Sequence, residues 1–301
     1  SELWSIFDFL MPGFLYSYRK FRERYELPIV KNQDPEALTA LRRMTGPFVL
    51  RRLKKDVLRE LPGKEERIVY SAASGRQQKL YTASALKLKE ALAGGAWSGN
   101  GKLEVLSQLM RLRQICCDPA LCFEDYTGES AKLETCVSLI ASASAAGHKI
   151  LLFSQFASML ERIRERLLQE GISSHLLVGA TPKEERSRMV QAFASDEVSV
   201  FLISLKAGGT GLNLTAADIV IHYDPWWNVA AQNQATDRAY RIGQEKPVTV
   251  YKLILKDTIE ENLLKLQNAK LALAAQVVSE GMVSLGDLSQ NELMELFEQN
   301  P

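Results

Sequence analysis

From about residue 131 onward, short apolar runs alternate with helical segments, and this alternation most limits the fold that the chain can adopt. Strands are predicted within HKILLFSQF (148–156), SSHLLVGATP (173–182), VSVFLISLKAGG (198–209), ADIVIHYDP (217–225) and VTVYKLILKD (248–257). Each of these strands is apolar along its length, which is typical of a parallel sheet covered by helices on both faces. The pattern therefore predicts an α/β fold whose ligands bind outside the carboxyl ends of the strands.

The residues before 131 follow a different pattern, in which helical spacing is the main signal. Helices are predicted within FVLRRLKKDVLRELPG (48–63), GRQQKLYTASALKLKEALA (75–93) and KLEVLSQLMRLRQICCDP (102–119). We therefore expect a mainly helical segment at 1–130, an α/β domain at 131–280 and an acidic tail at 281–301.

Composition excludes several classes of protein. The chain is 46% hydrophobic and 24% charged, with a net charge of +1, and it has no apolar run approaching ~18 residues, so no membrane span is expected. The cysteines lie at 116, 117, 122 and 136 and lack the paired spacing of zinc sites. We expect no metal site, and buried, reduced thiols in a cytosolic or nuclear protein.

Two stretches after predicted strands could carry chemistry. The glycines of SLKAGGTGLN (204–213) would let backbone amides approach a phosphate, although such a loop is more often an ordinary turn. In QATDRAYRIGQ (234–244), Arg238 and Arg241 are three residues apart and would share one face of a predicted helix. The chain has no Walker A pattern, so these arginines have no obvious phosphate partner within it.

Several stretches, taken in order, resemble a known family. LLFSQF, LVGATPKEERSRMVQAF, FLISLKAGGTGLNLTAADIVIHYDPWWN and QATDRAYRIGQ look like motifs IV, V and VI of superfamily-two helicases, in the form found in the Swi/Snf family of DNA-translocating ATPases. Upstream, SELWSIFDFLMPG resembles the segment just after motif III in the first motor lobe, and FVLRRLKKDVLRELP resembles the basic brace that links the lobes. LRQICCDPAL resembles the family's LRQ-x-C-x-H-P-x-L segment, with Asp118 in the place of the histidine. The resemblance extends over 1 to about 275 and does not include the acidic tail.

The resemblance implies a RecA-like sheet and one half of an ATPase site. Arg238 and Arg241 match arginine fingers, which would reach ATP and Mg²⁺ held mainly by a first RecA-like lobe outside this sequence. Gln234, Gly211 and Asn213 match positions beside the nucleotide. The expected role of Asp237 is to hold one of the arginines. For this chain alone we expect no cofactor and no ATPase activity.

The same resemblance implies contacts to the backbone of double-stranded DNA. The matching positions are Ser154, Gln155, Arg186, Lys206, Gly208, Gly209, Thr210 and Trp226. Phosphate contacts position a protein without reading sequence, so little base specificity is expected. Trp226 or its neighbour Trp227 could stack on a base or a sugar; the alternative, which we favour for at least one of them, is packing against the sheet.

Together, these features predict the second motor lobe of an ATP-dependent double-stranded-DNA translocase. Its partners would be DNA, the first lobe of the same protein and a transcription or other DNA-bound complex. It would be cytoplasmic, at the nucleoid, in a bacterium, which the resemblance favours, and nuclear in a eukaryote. Two alternatives stay open: the lobe of a strand-separating DNA or RNA helicase, and a non-catalytic module that binds nucleic acid or protein.

Overall fold

The computed structural model describes residues 2–32, 34–49, 61–73, 75–94, 101–205, 207, 212–265 and 267. These residues form two compact units, one at 2–49 and one at 61–267. Most of the predicted helix and basic brace at 48–63, and the whole acidic tail, lie outside the described residues.

The first unit is a small helical cluster. Its helices are α1 (Glu2–Leu10), α2 (Tyr18–Phe21), α3 (Leu27–Asn32) and α4 (Pro35–Thr45), with a π-helical turn at Arg22–Glu26. Phe7, Leu15, Phe21, Tyr25 and Leu41 form its core.

The second unit contains the sheet. Its strands are β1 (Lys64–Ser71), β2 (Ile150–Ser154), β3 (Ser174–Leu177), β4 (Val200–Ser204), β5 (Ile219–His222) and β6 (Val248–Leu255). Its helices are α5 (Gly75–Ala93), α6 (Gly101–Cys117), α7 (Ala131–Ala145), α8 (Ala157–Gln169), α9 (Lys183–Phe193) and α10 (Val229–Thr236), and residues 259–265 are also helical.

All pairings between these strands are parallel, in the order β1-β6-β5-β2-β4-β3. Side chains alternate between the two faces. On β2, Ile150 and Leu152 pack with α7 and α8, whereas Leu151 and Phe153 pack with Phe193 of α9 and Ala235 of α10. Because both faces are buried, the strands are apolar throughout. The predicted parallel sheet with helices on both faces, and its five strands after residue 131, are confirmed.

The strand β1 was not predicted, and it places part of the first 130 residues in the sheet. It pairs with β6 from Lys64 opposite Val248 to Ser71 opposite Leu255. As an edge strand, β1 is mostly exposed and carries charged side chains, so its sequence lacks an apolar pattern. The helices α5 and α6 pack together beside the end of β6. The domain boundary at residue 130 stays a prediction.

Three further findings concern the cysteines, metal sites and membrane spans. The four cysteines are free thiols, and all but the half-buried Cys122 are buried. Within the described ranges, no group of three or more His, Cys, Asp and Glu side chains is placed to hold a metal ion. In the same ranges, no helix combines the length and the apolar character that a membrane span needs.

The Glu66 carboxylate should stabilise the pairing of β1 with β6 in a pH-dependent way. It lies 2.8 Å from the Nζ atoms of both Lys64 and Lys252. Burial acts to raise the pKa of Glu66, but hydrogen bonds from Lys252 and Lys64 lower it to about 2. We expect Glu66→Gln to lower the free energy of unfolding by about 1 kcal/mol above pH 4.5, after allowance for solvent screening.

This difference should shrink as the pH falls from 4.5 towards 2, because the wild-type carboxylate then takes up a proton. Urea unfolding of both proteins across this range measures it. A difference that does not change with pH would contradict the electrostatic explanation.

Candidate nucleotide and nucleic-acid site

The strand order brings three strand ends together at the carboxyl edge of the sheet. The strand β2 lies between β4 and β5. Beyond the strands, the amide of Leu205 donates to the carbonyl of Ser154 at 3.0 Å, and the amide of Tyr223 donates to the carbonyl of Phe153 at 2.9 Å. The segments that follow the three strands therefore start side by side, as predicted for a ligand site in a parallel sheet.

Asp224 holds the residues at the carboxyl end of β2. Its Oδ1 accepts hydrogen bonds from the Ser154 hydroxyl at 2.5 Å and from the Gln155 amide at 3.2 Å. Burial raises the pKa of Asp224, while the charge of Arg113 opposes this shift. The Ser154 side chain is fully buried and directed to Asp224, so its predicted contact with DNA would require it to leave this hydrogen bond.

Arg113 of α6 completes this arrangement and is not among the residues predicted from the sequence. Its Nη1 donates to Oε1 of Gln155 at 3.0 Å and its Nη2 donates to the carbonyl of Pro225 at 2.7 Å. Nη2 also lies 3.6 Å from Oδ2 of Asp224. A signal was present in the sequence, since Arg113 interrupts the apolar face formed by Leu112 and Ile115.

A second buried ion pair supports the same turn. Nζ of Lys132 lies 2.5 Å from both carboxylate oxygens of Glu260 and 3.3 Å from the carbonyl oxygen of Tyr223. Glu260 also accepts from the amide of Leu255 at 2.8 Å. Burial acts to lower the pKa of Lys132, but the charge of Glu260, together with its hydrogen bond and the neighbouring Cys117 and Cys116, raises it overall. The pair joins α7, the end of β6 and the turn after β5.

Both tryptophans of that turn pack within the protein. Trp226 is half-buried against the core that contains Phe153 and Ala235, and its amide donates to Gln232 at 3.4 Å. Trp227 packs beside α5 and α6, with the Arg113 guanidinium 5.5 Å from its ring centre. Stacking of Trp226 on DNA stays a prediction.

The helix predicted across Arg238 and Arg241 is shorter than expected. The helix α10 ends at Thr236, and both arginines lie in the turns that follow. The amide of Arg238 donates to Ala235 and that of Ala239 donates to Thr236, which are three-residue contacts rather than α-helical ones. The expectation that the two arginines share a helical face was therefore wrong.

Gln244 holds these turns in place, a role that our sequence analysis did not assign. Its Nε2 is within hydrogen-bonding distance of three carbonyl oxygens, those of Thr215 (3.1 Å), Ala217 (2.8 Å) and Ala239 (3.2 Å). The preceding Gly243 has a φ of +96°, which a glycine adopts without strain. The arginine turn is thus fastened to the segment that follows the Gly-rich loop.

The two arginines themselves contact that segment. The carbonyl of Arg238 accepts from the amide of Leu214 at 3.1 Å, and Nη1 of Arg241 donates to the carbonyl of Leu212 at 3.4 Å. Arg238 is buried, and its Nε has no hydrogen-bond partner within the described part of the chain. Burial lowers the pKa of Arg238, the charge of Arg241 adds to this effect, and Asp237 opposes it.

The remaining predicted positions lie as follows. Gln234 on α10 and Asn213 are exposed, and Arg186 on α9 is half-buried. Lys206, Gly208, Gly209, Thr210 and Gly211 fall outside the described residues. Their predicted contacts, like those of Gln234, Asn213 and Arg186, stay predictions.

Asp118, which stands where the resemblance leads one to expect a histidine, has a structural partner. It is buried, and its Oδ2 accepts from Nε of Arg162 at 2.9 Å. Its Oδ1 also accepts from the amide of Ala120. The aspartate at this position therefore forms an ion pair that joins the end of α6 to α8.

Comparisons with known proteins identify the family of the chain. Residues 131–243 match the helicase conserved C-terminal domain, and residues 1–121 match the SNF2-related domain. The solved C-terminal domain of the SWI2/SNF2 ATPase of Sulfolobus solfataricus is 31% identical, with a TM-score of 0.64, over 79% of this chain and all of that one. The chain belongs to the SWI2/SNF2 family. Its sheet is accordingly a RecA-like one, as the sequence predicted.

Longer SWI2/SNF2 proteins are similar over nearly the whole chain. The SWI2/SNF2 ATPase core of S. solfataricus in complex with dsDNA is 35% identical, with a TM-score of 0.66, over 98% of this chain and 63% of that one. A putative ATP-dependent helicase/translocase of Bacillus subtilis, YwqA, is 42% identical over 99% of this chain and 33% of its own length. The chain thus spans about a third of the length of the first curated relatives that it matches.

His222 should make this part of the fold sensitive to acid. Its Nε2 lies 2.9 Å from the Thr236 hydroxyl, and its ring stacks on that of Phe153. Burial, helped by Lys252, lowers the pKa of His222 to about 3. Because the unfolded chain takes up this proton near pH 6.5, stability should be full above pH 6.5 and should decrease as the pH falls towards 3.

We expect His222→Gln to cost about 1 kcal/mol at pH 7.5, because it removes a buried ring and weakens a hydrogen bond. The free energy of unfolding of the variant should then depend less on pH than that of the wild type between pH 6.5 and 4. Urea unfolding at several pH values measures both slopes. Equal slopes would rule out His222 as the source of the acid sensitivity.

Proposed function

We propose that this chain contains the second motor lobe of an ATP-dependent double-stranded-DNA translocase. In this proposal, Arg238 and Arg241 act as arginine fingers on ATP held by the first lobe of the full-length protein. The observation that carries the proposal is the Arg238 side chain, which is buried beside a second cation and has an Nε without an acceptor in the described residues.

Such an arginine has a physical need for an anion. A buried donor without an acceptor costs roughly 1–3 kcal/mol, and a neighbouring like charge adds to this cost. A phosphate group offers oxygens that suit the planar donor fork of arginine. ATP with Mg²⁺ would supply the phosphoryl group that is transferred, and the guanidinium groups would stabilise the charge that develops on its oxygens.

Other residues would keep the arginines in position. Gln244 fastens their turn to the segment after the Gly-rich loop, and His222 fastens α10 to β5 through Thr236. We propose that Gln234, Gly211 and Asn213 line the nucleotide and that Asp237 orients an arginine.

The first proposed DNA contact lies at the carboxyl end of β2. Nε2 of Gln155 is buried and lacks a hydrogen-bond partner among the described residues. Because its Oε1 faces Arg113, this nitrogen keeps its hydrogen-bonding capacity, and in this proposal it donates to a phosphate oxygen once DNA binding uncovers it. The further proposed contacts are Arg186, Lys206, Gly208, Gly209, Thr210 and Trp226. Contacts to the backbone alone would give little base specificity.

Replacement of Arg241 in the full-length protein tests the catalytic role. We expect Arg241→Ala to lower kcat for ATP hydrolysis by about 10³-fold, within the range measured for arginine fingers. The KM for DNA should stay close to that of the wild type, because the side chain acts on the phosphoryl group.

The exposed Arg164 of α8 offers a matched control, and Arg164→Ala should keep wild-type turnover. A kcat of Arg241→Ala within a few-fold of the wild type would favour the non-catalytic alternative.

This chain without the first lobe should not hydrolyse ATP. Measured ATP turnover by the isolated chain that disappears in its Arg241→Ala variant would contradict that expectation.

Replacement of Gln155 tests the DNA contact separately. Gln155→Glu keeps the oxygen that Arg113 holds and replaces the free nitrogen by a second carboxylate oxygen, which repels phosphate. We expect the Kd for duplex DNA to rise at least about tenfold, and the melting temperature of the variant verifies that it is folded.

Gln169→Glu makes the same change of charge at an exposed position at the end of α8 and should leave the Kd almost unchanged. Binding titrations at constant ionic strength compare the variants, since salt alters all such affinities. Wild-type affinity in Gln155→Glu would exclude Gln155 as a phosphate contact.

A further inference from the structure

We infer that Arg113 is a positioning residue for DNA binding, acting through Gln155. This inference rests on the proposed DNA contact of Gln155. Arg113 lies on α6, 42 residues before Gln155 in the chain, and does not belong to the strand ends that would meet DNA. Any effect of Arg113 on DNA binding must therefore act through the side chains that it contacts.

The guanidinium of Arg113 is itself anchored on one side. Its Nη2 donates to the carbonyl of Pro225 at 2.7 Å and lies 3.6 Å from the carboxylate of Asp224. The rings of Phe156 and Trp227 have their centres 5.8 Å and 5.5 Å from its Cζ. With Arg113 fully buried, these contacts fix the plane of the guanidinium and hence the direction of its other arm.

That other arm sets the orientation of Gln155. Nη1 of Arg113 is a donor and requires an acceptor opposite it, so Oε1 of Gln155 must face Arg113 at 3.0 Å. The flipped amide would place two donors against each other. Meanwhile Asp224 accepts from the backbone amide of Gln155, so the same ion pair holds both the backbone and the side chain of that residue.

The consequence is a preset hydrogen-bond donor at the end of β2. Without Arg113, the Gln155 amide could rotate and offer either its oxygen or its nitrogen. With Arg113, it offers only the nitrogen, which is the atom that attracts a phosphate oxygen. A lysine at position 113 would keep the positive charge near Asp224 but could not reach Gln155 and Pro225 with a fixed planar fork.

A double-mutant cycle in the full-length protein tests this inference. DNA affinity is measured for the wild type, Arg113→Lys, Gln155→Ala and the double variant by duplex-DNA titration. We expect Arg113→Lys to weaken DNA binding about 5- to 10-fold. In the Gln155→Ala background the same replacement should have almost no effect, because the residue on which it acts has been removed.

Arg111→Lys, at an exposed position on the same helix, is the matched control and should bind DNA like the wild type. Equal weakening by Arg113→Lys in both backgrounds, or no weakening in either, would overturn the positioning role while leaving the Gln155 contact intact. Wild-type binding by Gln155→Ala would instead overturn the contact itself, and with it the inference.

Asp224→Asn provides a second route if Arg113→Lys does not fold. It keeps an oxygen for Ser154 and the Gln155 amide but removes the charge that anchors Arg113. We expect the same dependence on Gln155, with a smaller loss of affinity. Additive effects of Asp224→Asn and Gln155→Ala would again contradict positioning.

Discussion

The buried carboxylate of Asp224 is the constraint on which much of the candidate site depends. A carboxylate without a partner in such a place would cost several kcal/mol, so Arg113 has to lie beside it. The position of Arg113 in turn places α6 against the carboxyl ends of the strands. The helices α5 and α6 are therefore joined to the sheet by a charge requirement as well as by apolar packing.

A second buried pair, Lys132 with Glu260, acts on the same turn from the other side. Together, the two ion pairs connect the turn 223–227 to α6, α7, the carboxyl end of β2 and the helical residues 259–265. That turn leads directly into α10 and then to the arginines.

Individual strands and helices show why part of the fold could be predicted from the sequence. Strands β2, β4 and β5 are apolar throughout because both faces of the sheet are covered, so their sequences identify them. Strand β1 has the same backbone geometry, but its edge position leaves charged side chains in solvent and removes that signal. The helix predicted across Arg238 and Arg241 ends early for another reason. Its composition is helical, but the distant carbonyls of Thr215 and Ala217 hold Gln244 and draw the chain into turns after Thr236.

The sequence by itself determined the parallel α/β sheet, the family and the stretches that form the candidate site, because these depend on local apolar patterns and on residues close together in the chain. Only the tertiary structure decided which side chains serve that site. Arg113 meets Asp224 across more than a hundred residues, and Glu260 meets Lys132 across a similar separation. The apolar residues around Arg113 mark it as unusual, but no local pattern identifies its partner, because the two residues come together only when the chain folds.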